Sequence, residues 1–213
     1  MKFIHKGLNV NHRFEEKTFD YPRVTSVLGH FKNWGLIKWR QKLGDAVADF
    51  EMNRCASRGT ATHETIEEYL KNKTVTYKSV LSMGLFLNMQ NYLDMITNIR
   101  CLEQKLVSHN LELQGTVDCV AEVNGSLSVI DFKTSNKPTE KPRDTHLLQT
   151  SAYAIMYEEL YKEKIESLII ISADELGGNK MFRRDFSEHK NKFLEFLNKY
   201  KEDIKQWAKN QKH

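Results

Sequence analysis

Apolar residues between Leu36 and Leu70 recur at mixed three- and four-residue spacings, as at Ile37, Leu43, Val47 and Phe50. That period belongs to a helix with one buried face. Arg58-Gly59-Thr60 interrupts the pattern. A break is expected there, with Thr60 as N-cap of a fresh helix over 60–70. A further helix is predicted over 79–98. Beyond it the pattern turns to short runs rich in Val, Leu and Ile, over 102–108, 113–123 and 126–133, punctuated by Asn110 and Asn124-Gly125. These read as strands. A helix over 143–161, strands over 167–173 and 180–185 with Gly177-Gly178 turning between them, and a lysine-rich helix over 187–209 complete the chain. Helices, three strands, helix, two strands and helix make an α/β (α+β) fold with a central mixed sheet flanked by helices.

The stretch from Gly115 to Lys133 is the most informative. Asn-Gly between two β-rich runs signals a two-residue hairpin, because a type I′ turn needs positive φ at both central residues. Val123 then faces Ser126 and facing residues sum to 249, which sets Asp118 opposite Asp131, with Lys133 on the same face as Asp131. Directly opposed side chains stand about 4.5–5.5 Å apart, and like charges there are destabilising. A divalent cation resolves the conflict, since Mg²⁺ accepts hard oxygen ligands from one or two carboxylates. The other face, Val117, Cys119 and Ala121 against Phe132, Ile130 and Ser128, is expected to be core. The alternative is a solvated hairpin face with Lys133 screening the two acids.

Further residues bear on that choice. His63 falls on the first turn of the expected 60–70 helix, and imidazole is a good divalent-metal ligand. Glu67, four residues on, shares its face and is a candidate to orient it. Gln149 and Tyr153 share a face of the helix after the hairpin, where an amide and a phenol can bond a phosphate or position a lysine. Basic residues flank the acids: Arg54 and Arg58 before His63, and Lys137, Lys141 and Arg143 after Thr134. Such flanks suit a phosphodiester approaching carboxylates. Trp34 and Trp39 are candidates for stacking on bases or for core. The lysines of the last helix read as a solvated face.

The 213 residues are 40% apolar and 28% charged, the balance of one globular domain. The net charge of +4 permits a nucleic-acid partner without requiring one. Three cysteines, an odd number without CxxC spacing, argue against a disulfide framework, a zinc knuckle or an iron–sulfur cluster, and suit a reducing, cytoplasmic setting. No run approaches the ~18 apolar residues of a membrane helix. The first twenty residues lack a secretory apolar region and carry Glu15, Glu16 and Asp20, unlike a presequence.

Gly59-Thr60-x-x-His63, Gly115-x-x-Asp118, Ile130-Asp131-Phe132-Lys133-Thr134 and Gln149-x-x-x-Tyr153, in that order, resemble the PD-(D/E)xK nuclease superfamily. The likeness is closest to its RecB-type exonuclease branch, with the mitochondrial genome maintenance and phage exonucleases. Tyr21-Pro22-Arg23-Val24-Thr25-Ser26-Val27-Leu28 resembles the Pro-x-Val-Thr-x-x-Leu motif of those members. The resemblance implies a restriction-endonuclease-like α-β-β-β-α-β core over 58–186, with a helical region over 1–57 and a helix over 187–213 in the same single domain. It implies Mg²⁺ or Mn²⁺ held by His63, Asp118, Asp131 and the Phe132 carbonyl, with Glu103 as a looser match. Lys133 is then the catalytic lysine, assisted by Gln149 and Tyr153, and Arg54, Arg58, Thr134, Lys137, Lys141 and Arg143 meet DNA. No iron–sulfur cluster is expected. The implied activity is hydrolysis of single-stranded DNA from a free end, in replication, recombination or repair. A structure-specific endonuclease and a non-catalytic DNA-binding module are the alternatives, and the latter would be expected to lack Asp118, Asp131 or Lys133.

Overall fold

The computed structural model describes residues 20–31 and 33–210. The part of the expected N-terminal helical region that falls on 1–19 lies outside them. The order is α1 (Val24–Leu28), α2 (Trp34–Leu43), α3 (Asp45–Leu70), α4 (Val80–Leu93), β1 (Ile96–Ser108), β2 (Leu113–Val123), β3 (Ser126–Ser135), α5 (Asp144–Tyr161), β4 (Ser167–Asp174), β5 (Asn179–Asp185) and α6 (Phe186–Asn210). The strands form one mixed sheet in chain order, antiparallel except for β3 and β4, which pair in parallel across the α5 connection.

Helices cover both faces. On one, Ile66 and Leu70 of α3 and Phe86 and Met89 of α4 pack on Cys119, Ile130, Phe132 and Ile169. On the other, Val24 and Val27 of α1, Met156 and Tyr157 of α5 and Phe193 of α6 pack on Val120, Val129 and Leu168. Each such aliphatic or aromatic side chain contributes about 1.5–3 kcal/mol by leaving water. β4, flanked on both sides, is buried along its whole length, as a parallel strand between helical layers should be. Among the described residues no helix is long and apolar enough to cross a membrane.

Two expected boundaries move. α3 runs unbroken through Arg58-Gly59-Thr60, so Thr60 caps nothing and His63 sits mid-helix. An interior glycine costs about 0.5–1 kcal/mol against alanine. Here the surroundings hold the turn: Arg58 Nε donates to Thr134 Oγ1 at 3.2 Å, and the Thr62 and Thr65 hydroxyls donate back to the carbonyls of Arg58 and Ala61. The break falls instead at Gly44, whose φ of +79° ends α2. The helix expected over 79–98 stops at Leu93, and β1 begins at Ile96. Ile96, Ile99 and Leu102 enter one core cluster at helical spacing because β1 slips register between Thr97 and Cys101, where Asn98 has φ of +46°. The slip gives a strand the apparent period of a helix.

The candidate active site

The hairpin turns as its residues require. Asn124 and Gly125 have φ of +53° and +76°, and the β2–β3 register runs from Val123↔Ser126 to Cys119↔Ile130. All its pairs sum to 249. The ladder stops one pair short of Asp118 and Asp131, however, and Asp118 Oδ2 accepts from the Phe132 backbone N–H at 2.9 Å instead. Beyond the last ladder pair, then, the Asp118 side chain itself bonds across to the β3 backbone, and the two acids remain near enough for Asp118 to act on the Asp131 carboxyl.

The cause lies in β1 and β2 together. Leu102↔Cys119 and Gln104↔Val117 pair on either side of Glu103 and Asp118. Between them Glu103 adopts φ of +47°, a left-handed conformation uncommon for a residue with a side chain. Both strands lose their alternation at this point. Leu102 and Leu106 lie in opposite core clusters, while Val117 and Val120 share one. Val117 is thus core as expected, but on the face opposite Cys119 and Ala121. Such irregularities commonly re-aim side chains beside active sites. Here they turn two carboxylates toward one histidine.

His63 Nδ1 lies 3.6 Å from both Glu103 Oε1 and Asp118 Oδ2, while Nε2 donates to the Phe132 carbonyl at 2.8 Å. That carbonyl, implied as a metal ligand by the resemblance, here orients the ring. Glu103 stands as near to His63 as Asp118 does, although its sequence match is loose. Glu67 pairs with Lys71 rather than with His63. Asp131 adjoins the cluster from β3. Its Oδ1 accepts from Lys133 Nζ at 2.8 Å, and Lys133 also donates to Gln149 Oε1 at 3.4 Å. Tyr153 is 3% exposed and packs its ring on Gly115.

Charge is crowded here. Burial pushes the carboxyls of Asp118 and Asp131 up, against the pull of His63 and Lys133 on the first and of Lys133 on the second. Burial disfavours the charged His63 ring, but Glu103, Asp118, Asp131 and the Phe132 carbonyl outweigh it and raise its pKa to about 9. Lys133 is raised likewise: burial opposes its charge and Asp131 and Asp118 prevail. Sequence reading passes over His146, one turn before Gln149. Burial, with Lys133 beside it, lowers its pKa to about 4, and its buried Nδ1 has no partner among the described residues. Its i−3 spacing from Gln149 was the available signal.

His63, Glu103 and Asp118 each offer a ligand atom, all within 4.8 Å of one another. Beside them Asp131 Oδ2 is buried without a hydrogen-bond partner among the described residues. An orphaned carboxylate oxygen next to a nitrogen and two more carboxylates fits a divalent cation, because buried charge is otherwise paired or ligating.

The flanking basic residues divide. Arg54 and Arg58 are not free to meet a polyanion: both pair with Glu175, Arg54 also with Glu51, and Arg58 is bonded to Thr134 and Asn136. They tie α3 to the ends of β3 and β4. Lys137, Lys141 and Arg143 are exposed, and Arg143 lines a cavity of about 650 Å³ with Trp39 and Met52. Trp34 and Trp39 are both exposed, so neither is core.

The family model of the PD-(D/E)XK nuclease superfamily matches residues 89–213, more than half of the chain. Human mitochondrial genome maintenance exonuclease 1 is 29% identical over 168 residues, covering 71% of this chain and 48% of that protein. The protein of the same name from Xenopus tropicalis is 34% identical over 138 residues, covering 61% of this chain and 40% of its own length. The chain thus spans about half, or less, of these relatives. Among solved structures, the crystal structure of SSO0001 overlays with a TM-score of 0.46 at 15% identity, covering 80% of this chain and 69% of that one. The sheet order, the acid–histidine cluster beside Lys133 and the match of the family model agree: the chain belongs to the PD-(D/E)XK nuclease superfamily.

Proposed function

We propose that the protein is a Mg²⁺- or Mn²⁺-dependent exonuclease that hydrolyses phosphodiester bonds of single-stranded DNA from a free end, in replication, recombination or repair. The observation that carries this reading is the partnerless Asp131 Oδ2 beside the His63–Glu103–Asp118 cluster, with the Lys133 ammonium on the same carboxylate. The exonuclease names of the relatives support the end requirement.

His63, Glu103, Asp118 and Asp131 would hold the ion. A divalent ion there supplies Lewis acidity toward a phosphoryl oxygen and lowers the pKa of a bound water. The Phe132 carbonyl fixes the imidazole with Nδ1 toward the carboxylates, as partners beyond a metal's own ligands typically do. Lys133, held cationic by Asp131 and Asp118, is poised to orient the attacking water and to offset negative charge growing on the phosphate. Gln149 limits where its ammonium can swing.

The test is a time course on end-labelled single and double strands, linear and circular, with Mg²⁺, Mn²⁺ or EDTA. Shortening of linear single strands from an end, abolished by EDTA, is expected. Equal cutting of circles would make the enzyme an endonuclease on the same site, and no cutting in any metal would leave a DNA-binding module.

A further inference from the structure

The motif from Tyr21 to Leu28 has no part in the acid–histidine cluster, yet the fold sets it against the active site. Gln114 N–H donates to the Pro22 carbonyl at 3.1 Å, and Arg23 bridges Gln114 in parallel. Val24 and Val27 of α1 are fully buried against the sheet. This pins Arg23 and Thr25 at the mouth of a cavity of about 420 Å³, together with Lys105, Thr116, Gln149 and Tyr153. Lys105 and Thr116 are direct cross-strand partners on β1 and β2.

The chemistry of this lining is one-sided. It offers two cations, two hydroxyls, two amides and a phenol, and no carboxylate. Arg40, Arg54, Arg58 and Arg100 are all committed to acidic partners, whereas Arg23 and Lys105 take part in no ion pair among the described residues. The cavity that His63 lines is the reverse, about 370 Å³ with Glu64, Glu67 and Glu103 in its wall. Gln149 joins the cationic cavity to the catalytic lysine, since it lines the first and accepts from the second. Unpaired cations interleaved with hydroxyls at a mouth open to solvent suit a phosphate, which takes several charge-assisted hydrogen bonds at once.

We propose that Arg23, Thr25, Lys105 and Thr116 form a phosphate-binding subsite that holds a phosphate of the nucleic-acid strand adjoining the one attacked. The subsite rests on the reading of a nucleic-acid strand as substrate, and gives the α1 motif a role in positioning that strand. The phosphate is either an internal diester or a terminal monoester.

The test begins with binding of a fluorescent single strand in EDTA to the Lys133→Ala protein, titrated over a range of salt. Removing one cation from a phosphate should lower the slope of log affinity against log salt by about 0.7 on a single strand. Arg23→Gln and Lys105→Gln are each expected to weaken binding and lower the slope by that amount, while Lys192→Gln on α6 leaves it unchanged. Both subsite residues are exposed, so thermal melts of these variants should match the parent. Slopes unaltered by either substitution, or altered equally by Lys192→Gln, would overturn the subsite. In the otherwise native protein, Arg23→Gln is then compared on end-phosphorylated, end-hydroxyl and circular strands. A binding loss confined to phosphorylated ends assigns the terminal monoester, and an equal loss on all three assigns the diester. A native protein that cleaves normally while both slopes stay put defeats the subsite alone. One that cleaves nothing in Mn²⁺, yet shows the slope changes, defeats the nuclease reading alone.

Discussion

A methyl group added to Gly115 would lie 2.8 Å from Cε1 and 2.9 Å from the hydroxyl oxygen of Tyr153. The ring fills the space a side chain would take, which gives the glycine of the Gly-x-x-Asp motif a packing reason. Gly115→Ala should force the ring aside at about 1–3 kcal/mol, the usual cost of overpacking. It should also slow cleavage, because Tyr153 and Gln149 share one helix face. Melts and initial rates of Gly115→Ala, Tyr153→Ala and the double variant check this. The double variant should be more stable than the two single effects added, and strict additivity would mean that the Gly115–Tyr153 packing is not the cause.

His63 ties ion binding to pH. Its pKa of about 9 means that the ring is charged at neutral pH in the ion-free protein, whereas a metal ligand must be neutral. Binding therefore releases a proton, and affinity for Mn²⁺ should rise about tenfold per pH unit while pH stays below about 9. Without the ion the sign is opposite. The folded value lies above the ordinary 6.5, so the charged ring contributes stability that is complete below about 6.5 and is lost as pH rises through about 9. Calorimetric titration and EDTA melts across that range measure both. His63→Asn should flatten both profiles.

Much of the site was readable because its governing signals are local. Asn124-Gly125 between two β-rich runs favours its turn from local sequence alone, and the turn carries the register as far as Cys119↔Ile130. Lys133 follows from Asp131 by strand alternation alone. What escaped reading depends on distant partners. The left-handed turn at Glu103 is held by the pairing of β1 with β2 on either side of it, and no residue type announces it. Gly59 looks like a helix break until Arg58 meets Thr134, 76 positions away. Arg23 acquires its place only through the bridge to Gln114.

The pairing of Arg58 with Glu175 separates support from substrate binding. The Arg58 side chain is 5% exposed and that of Glu175 21%. Removing one partner of a buried pair costs about 3–5 kcal/mol, and the solvent left to Glu175 argues for the lower end. Arg58→Ala should therefore lower the melting temperature by many degrees while leaving the salt dependence of strand binding unchanged. A slope reduced by about 0.7 would return Arg58 to the strand-binding surface.

Lys133 and Asp131 share one hydrogen bond but divide the chemistry. Lys133→Ala removes the cation beside the phosphate and leaves the ligand atoms offered by His63, Glu103 and Asp118 in place. Single-turnover cleavage should fall about 10²–10³-fold, the scale of losing one donor aimed at developing charge. Mn²⁺ affinity should hold or rise, because the ion then meets less positive charge and Asp131 Oδ1 is released from its bond. Asp131→Asn is the converse: it takes away an anionic oxygen, so ion affinity and cleavage should drop together. Cleavage by Lys133→Ala at the native rate would remove the lysine from the reaction, and undiminished ion binding by Asp131→Asn would remove Asp131 from the ligand set.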